Sequence, residues 1–324
     1  MKKLVMKKKS FKNPKNSKGE LNISFGVIFS VIAGAFIIIL AIIIATKLRG
    51  IELSAQEGET GKSIGILMNP LESSFESSKR IALIMPKKTR IYTSCETDSE
   101  FGRQTLQTSQ LTHDKWTETD LNIKFRNKYL FSENPIEGKK FYVFSKPFEF
   151  PFKVSDLIYM TSSEDTYCFR DAPNEVEEDL ELLQQPNLLI EDCPGDSINV
   201  CFLNKPDCDI KINREIPPFY VSKQNEKVYF EGDALMYAAI FSDKEEYECQ
   251  IQRLMSRLEV LNDIYIEKNN QMVEELGCGT GTLSNLIVFG SLVRAVKNSE
   301  DLYLLKNIKE SLERENKYGG CAVW

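Results

Sequence analysis

Eight cysteines and a single histidine, His113, are the side chains of this chain best suited to nucleophilic or metal chemistry. Ser-His-Asp and Cys-His catalysis would both have to run through His113, and sites built from several histidines are excluded. His113 lies in the polar stretch QTSQLTHDKWTETD and reads as a surface residue. Cys95, Cys168, Cys193, Cys201, Cys208, Cys249, Cys278 and Cys321 contain no CxxC, and the spacings from Cys193 through Cys201 to Cys208 are too wide for a zinc knuckle. An even number of cysteines confined to one part of a chain reads as disulfides made in an oxidising compartment.

Four other stretches mimic chemistry. ELGCGTGTLS (Glu275 to Ser284) resembles motif I of S-adenosylmethionine-dependent methyltransferases, but that turn follows a buried apolar strand, and here the polar, helical YIEKNNQMVEE precedes it. It is more simply a corner between helices, with Gly277 as C-cap and Thr280 or Thr282 as N-cap. GETGKS (Gly58 to Ser63) resembles the end of a phosphate-binding loop but has Gln56 where the first Gly is needed. CAVW (Cys321 to Trp324) has the shape of a prenylation box with an unusual last residue. The acids from Asn174 to Glu181 spread round a helix and suit its positive N-terminal end. No catalytic residue, cofactor or metal ligand is therefore assigned.

The elements that must hold these residues begin with a charge asymmetry. Residues 1–45 hold eight Lys and one Glu, leaving 33 basic and 46 acidic residues in 46–324, a balance of −13 within a total of −6. A nucleic-acid binder would carry its basic charge on the folded part, so nucleic acid is excluded as a partner. From Ile23 to Ala45 the chain has no charge, and 23 residues make a helix of ~34 Å, the span of a ~30 Å hydrocarbon core. The expectation is a retained signal anchor in the lipid bilayer of the cell membrane, single-pass, with the lysine-rich end cytoplasmic and residues 46–324 extracytoplasmic. Gly26, Ser30 and Gly34 fall four apart, a stripe on which a partner helix or a second copy could pack.

The run KGELNISFGVIFSVIAGAFIIILAIII resembles the N-terminus of archaeal type IV pilin-like proteins, and the wider chain, through YCFRDAPNEVEEDLELL and LMYAAIFSDKEEYECQIQRLM, is similar to uncharacterised archaeal single-pass membrane proteins. The resemblance implies cleavage before the apolar helix and assembly through it. With a cut after Gly19, the fifth residue is Ser24, where pilins carry Glu.

The pattern divides the chain into a basic tail (1–22), a transmembrane helix (23–45), a helical stalk (46–80), an α+β extracytoplasmic domain (81–232) and a C-terminal helical bundle (233–324). The strand signal is carried by short β-rich runs between polar turns, from Ile81–Met85 to Lys227–Phe230. Strand, helix and strand across 166–191 form a crossover unit, with Pro173 opening the helix and Val176, Leu180 and Leu183 on its apolar face. Phe148, Phe150 and Phe152 lie on one side of an extended segment, as core or as a partner groove. Beyond Ser242, whose pairing with Glu245 suggests a capping box, three helices are expected near 243–277, 281–298 and 300–316. Short loops make them an antiparallel bundle, which brings Cys278 and Cys321 to one pole as a bonded pair. Cys249 lies ~44 Å from Cys278 along the first helix and must bond the strand-rich part. The fold class expected is α+β with an N-terminal transmembrane helix and a C-terminal three-helix bundle. The function expected is a non-enzymatic structural or interaction protein of the cell envelope that meets an envelope partner. The alternative is a tethered envelope enzyme using carboxylates or a bound divalent cation.

Overall fold

The structure is a computed structural model that describes residues 26, 29–45 and 47, and then 81–98, 101–112, 114–203, 205, 207–277, 282–318 and 322–324. The chain divides into two units, Met1–Ala55 and Gln56–Trp324. In the first, residues 29–45 form helix α1. The transmembrane helix expected over 23–45 is overturned: among the described residues no helix is long and apolar enough to cross a membrane. The stalk expected over 46–80 falls outside the described residues, apart from Lys47.

The second unit carries two six-stranded sheets. The first has strands β1 (Ile81–Glu96), β2 (Arg103–Thr112), β3 (Lys115–Phe125), β4 (Tyr129–Phe131), β5 (Ile136–Glu149) and β6 (Lys153–Ser162), in the order β3-β2-β1-β5-β6-β4. This sheet is a half-barrel with a small core of its own. Because side chains alternate along a strand, Phe141 and Val143 of β5 and Ile158 and Met160 of β6 turn into that core with Leu83, Met85, Ile91 and Leu106. Phe144, Phe148, Leu157 and Tyr159 turn the other way, into a larger core shared with the second sheet and the helices.

The second sheet holds β7 (Tyr167–Arg170), β8 (Leu188–Ile190), β9 (Ile198–Cys201), β10 (Ile210–Asn213), β11 (Tyr220–Lys223) and β12 (Glu226–Tyr229), in the order β12-β11-β10-β9-β7-β8. Helix α2 (Asn174–Leu183) connects the parallel pair β7 and β8, burying Val176, Leu180 and Leu183. β10, β11 and β12 form an antiparallel meander. The turn Gln224-Asn225 joins β11 to β12 with φ of 47° and 68°, the left-handed pair that a two-residue hairpin requires.

Helix α3 (Asp233–Phe241) is buried at every position from Ala234 to Phe241. It packs against β5 and β6 of one sheet and β11 of the other, and Tyr159 Oη donates to the Ala234 carbonyl at 2.7 Å. A helix apolar all round has no face to offer water, so it belongs in the centre. The 33-residue α4 (Lys244–Leu276) follows after one corner, in which Ser242 does not cap α4 as the sequence suggests. Its hydroxyl turns back to the Ala238 carbonyl of α3 at 2.6 Å, and Asp243 takes the N-cap position. Gly277 ends α4 at φ 63°, the left-handed cap expected of it.

α5 (Thr282–Ala295) runs antiparallel to α4: Asn262 donates to Leu286 O, while Arg294 reaches back to Glu259 at 2.6 Å. A 3-10 helix (Ser299–Leu305) leads into α6 (Lys306–Tyr318), and both pack on α5. The three C-terminal helices share one core with the sheets, because the N-terminal half of α4 lies on the strands. Glu246, Gln250, Arg253 and Arg257 recur every three or four residues on one face, and each bonds the half-barrel. Opposite Arg253, Gly102 sits at φ 56°, where a Cβ would collide with the Glu96 carbonyl and lie 2.8 Å from Arg253 Cγ. Gly102→Ala should lower stability by about 2–3 kcal/mol, from backbone strain and the collision together, read as a lower urea midpoint at unchanged slope.

Candidate functional site

Six cysteines are joined in three disulfides. Cys95 on β1 bonds Cys249 on α4, Cys168 on β7 bonds Cys193, and Cys201 on β9 bonds Cys208. The first spans 154 residues and ties the half-barrel to the long helix. Cys278 and Cys321, expected to pair, lie outside the described residues, as does His113. Gly26, Ser30 and Gly34 all belong to the N-terminal helical segment, and a Cβ at Gly34 would meet nothing within 4 Å.

Two of the sequence motifs resolve into structure, while Gly58 to Ser63 lies outside the described residues. Phe148, Phe150 and Phe152 are core, with Phe150 against Phe289 and Phe152 against Tyr265 and Trp324. The acids of α2 spend two members on ion pairs, Asp179 with Lys146 at 2.5 Å and Glu175 with Arg214 at 3.5 Å. Among the described residues no group of three or more His, Cys, Asp or Glu could hold a metal ion.

A different place does gather chemistry, at the seam where the two sheets meet the corner between α3 and α4. Lys223 ends β11 beside the hairpin turn, Glu133 follows β4, and Asp243 caps α4. These three line a cavity of about 150 Å³, floored by Val221, Val228 and Ala239. Glu133 and Lys223 also line a second cavity of about 580 Å³, which reaches Asp209 and Lys211. Rigid partners fix each wall. The Asn134 amide donates to Asp243 Oδ2 at 3.0 Å, and the Asn134 side chain bridges the backbone of Thr93 on β1. Tyr167 Oη, on β7, lies 3.4 Å from Glu133 Oε1.

Lys223 is half-buried, and its Nζ donates to the Ser242 carbonyl at 3.0 Å. Glu133 and Asp243 act on it through space, and no ion pair within 4.0 Å is formed by Lys223 among the described residues. Burial pulls its pKa down to about 8, and the two carboxylates recover only part of the loss. Nearby, burial pushes the Asp165 carboxyl up to about 6, helped by Glu133, Glu164 and Glu137. Burial, and then Glu133, also drives the Tyr167 phenol well above its ordinary value.

The lysine has a stability consequence whose sign is definite. Its folded pKa lies below its unfolded value of about 10.4, so the unfolded chain binds more protons between about pH 8 and 10.4, and stability rises with pH across that window. Below pH 8 the fold carries the penalty in full. Lys223→Met should therefore stabilise the protein at pH 7, by about 2 kcal/mol once contact with solvent is discounted, and the gain should fade towards pH 10.4 in urea titrations.

Sequence reasoning missed Lys223, Glu133, Asp243 and Tyr167 as a group, because they come from four separate elements. The only local signal was the Gln-Asn turn after Lys223, which speaks for a hairpin and says nothing of a half-buried amine. Comparison with protein families, with curated proteins and with solved structures finds no match to this chain.

Proposed function

We propose that the chain is a structural or interaction protein that works outside the cytoplasm, meeting an envelope partner through a rigid body rather than turning over a substrate. The observation that carries this reading is the staple between Cys95 and Cys249, which joins elements 154 residues apart and is backed by two further disulfides. Bonds of this kind persist in oxidising compartments and are reduced in the cytosol of mesophiles. A body fixed in this way presents a surface with little ordering left to lose on binding, which is where rigid interaction modules gain affinity.

The test is made on intact cells. A membrane-impermeant amine label should reach the lysines of residues 81–324 without lysis, and peptide mapping without reductant should recover Cys95 joined to Cys249. Free thiols at these positions in freshly alkylated cells, with labelling only after lysis, would overturn the reading.

A further inference from the structure

We propose that Lys223 is a reversible covalent capture site, its amine forming an imine with a small, neutral, hydroxylated aldehyde or ketone seated in the cavity between the β11–β12 hairpin and the α3–α4 corner. The size of the ligand follows from the void: about 150 Å³ holds a molecule of roughly six heavy atoms, the volume that admits benzene in an apolar setting. The larger cavity on the other side of Lys223 supplies a route for it.

The chemistry follows from what surrounds the amine. Glu133 and Asp243 face Lys223 from the β4–β5 turn and the head of α4, Glu226 from β12, and Lys244 from α4. Lys211 and Asp209 lie on the side of the larger cavity. Carboxylates outnumber the other cations on these walls, which disfavours an anionic keto acid and offers acceptors to ligand hydroxyls. The single backbone acceptor, Ser242 O, holds Nζ at the wall without neutralising it by contact. The hairpin turn and the Asn134 clamp keep the walls in place before a ligand arrives. A lysine held in such a place gives up its proton near physiological pH, as imine-forming lysines must.

In the step itself the neutral Nζ attacks the carbonyl carbon. A C–N bond forms, the carbonyl π pair moves to oxygen, and the nitrogen passes one proton to that oxygen and a second to the departing hydroxyl. Loss of water then leaves the C=N bond, so no oxidant or reductant is consumed. Addition of water reverses the sequence and frees the ligand.

The test uses the full, oxidised chain with glycolaldehyde as probe and cyanoborohydride as trap. Hydride adds to C=N and fixes the adduct as a secondary amine, which peptide mass mapping locates. Lys223 should be modified at least tenfold faster than the median lysine, with a rate that reaches half its maximum near pH 8, whereas exposed lysines should follow the ordinary amine near 10.4. Glyoxylate, of similar size but anionic, should label Lys223 more slowly than glycolaldehyde does. Val221→Phe, which fills the cavity and leaves the amine in place, should abolish the preference while circular dichroism stays native. Labelling of Lys223 no faster than the surface lysines, or a preference that survives the filled cavity, would overturn the proposal. Either outcome is independent of where the protein resides.

Discussion

A Cys95→Ser, Cys249→Ser double variant should lose about 5 kcal/mol of stability, the chain-entropy value for a loop of 154 residues. The other two bridges short-circuit only 25 and 7 residues of that loop, and because the entropy grows with the logarithm of length they leave the value almost unchanged. The same arithmetic gives about 2.5 kcal/mol for removing Cys201–Cys208, whose cysteines are 7 apart. The prediction is therefore an ordering as well as a magnitude. In calorimetry the long staple should be worth about 10–20 °C of Tm and the short one about half of that. The long one has a second role, since it fixes β1 to α4 beside the polar face of that helix. Equal losses from the two variants would show that local strain, not loop closure, sets the contribution of these bonds.

How far this fold could be read in advance depended on where each element hides its polar groups. The crossover unit was legible, because Val176, Leu180 and Leu183 recur at helical spacing between two β-rich runs. So was Gly277, whose left-handed conformation ends a long periodic helix. β2 and β3 were not, and the reason is physical: RQTLQTSQLT buries Gln104, Thr105, Thr108, Ser109 and Gln110, so a search for alternating apolar residues finds nothing. Two of those groups find partners across the structure: Gln104 bonds both the Leu130 backbone and Glu246, and the Thr108 hydroxyl meets that of Thr119 at 2.6 Å. α3 escaped notice for the opposite reason. DALMYAAIF has no polar face and so no periodicity, which is the mark of a helix enclosed on every side. The candidate site was least legible, since Lys223, Glu133 and Asp243 meet only once two sheets and two helices have closed around them.

The same closure makes Arg253 the most consequential single side chain on α4. Only 1% of it is exposed, and its guanidinium donates to the carbonyls of Phe101 at 3.1 Å, Arg126 at 3.0 Å and Lys128 at 3.2 Å, and to Gln250 Oε1 at 2.6 Å. Gln250 passes the connection to Glu246, which accepts from Gln250 at 2.8 Å and from Gln104 at 2.7 Å. Burial works against both charges, pulling the pKa of Arg253 down and pushing that of Glu246 up, so each is tolerable because the other and the intervening amides are there. Arg253→Met keeps much of the volume over the Tyr129 ring but strands three carbonyls and leaves Glu246 facing a neutral neighbour. The expected loss is about 3–5 kcal/mol, a large share of the ~5–15 kcal/mol that holds a domain together. Arg253→Lys should recover only a minor part, because an ammonium cannot span carbonyls set out for a planar fork. Adding Glu246→Gln to Arg253→Met should cost less than the sum of the two single changes, since it removes the stranded charge. Urea unfolding of the four proteins measures this as a coupling of about 1–3 kcal/mol, and additive losses would mean that the two residues do not sense each other through Gln250.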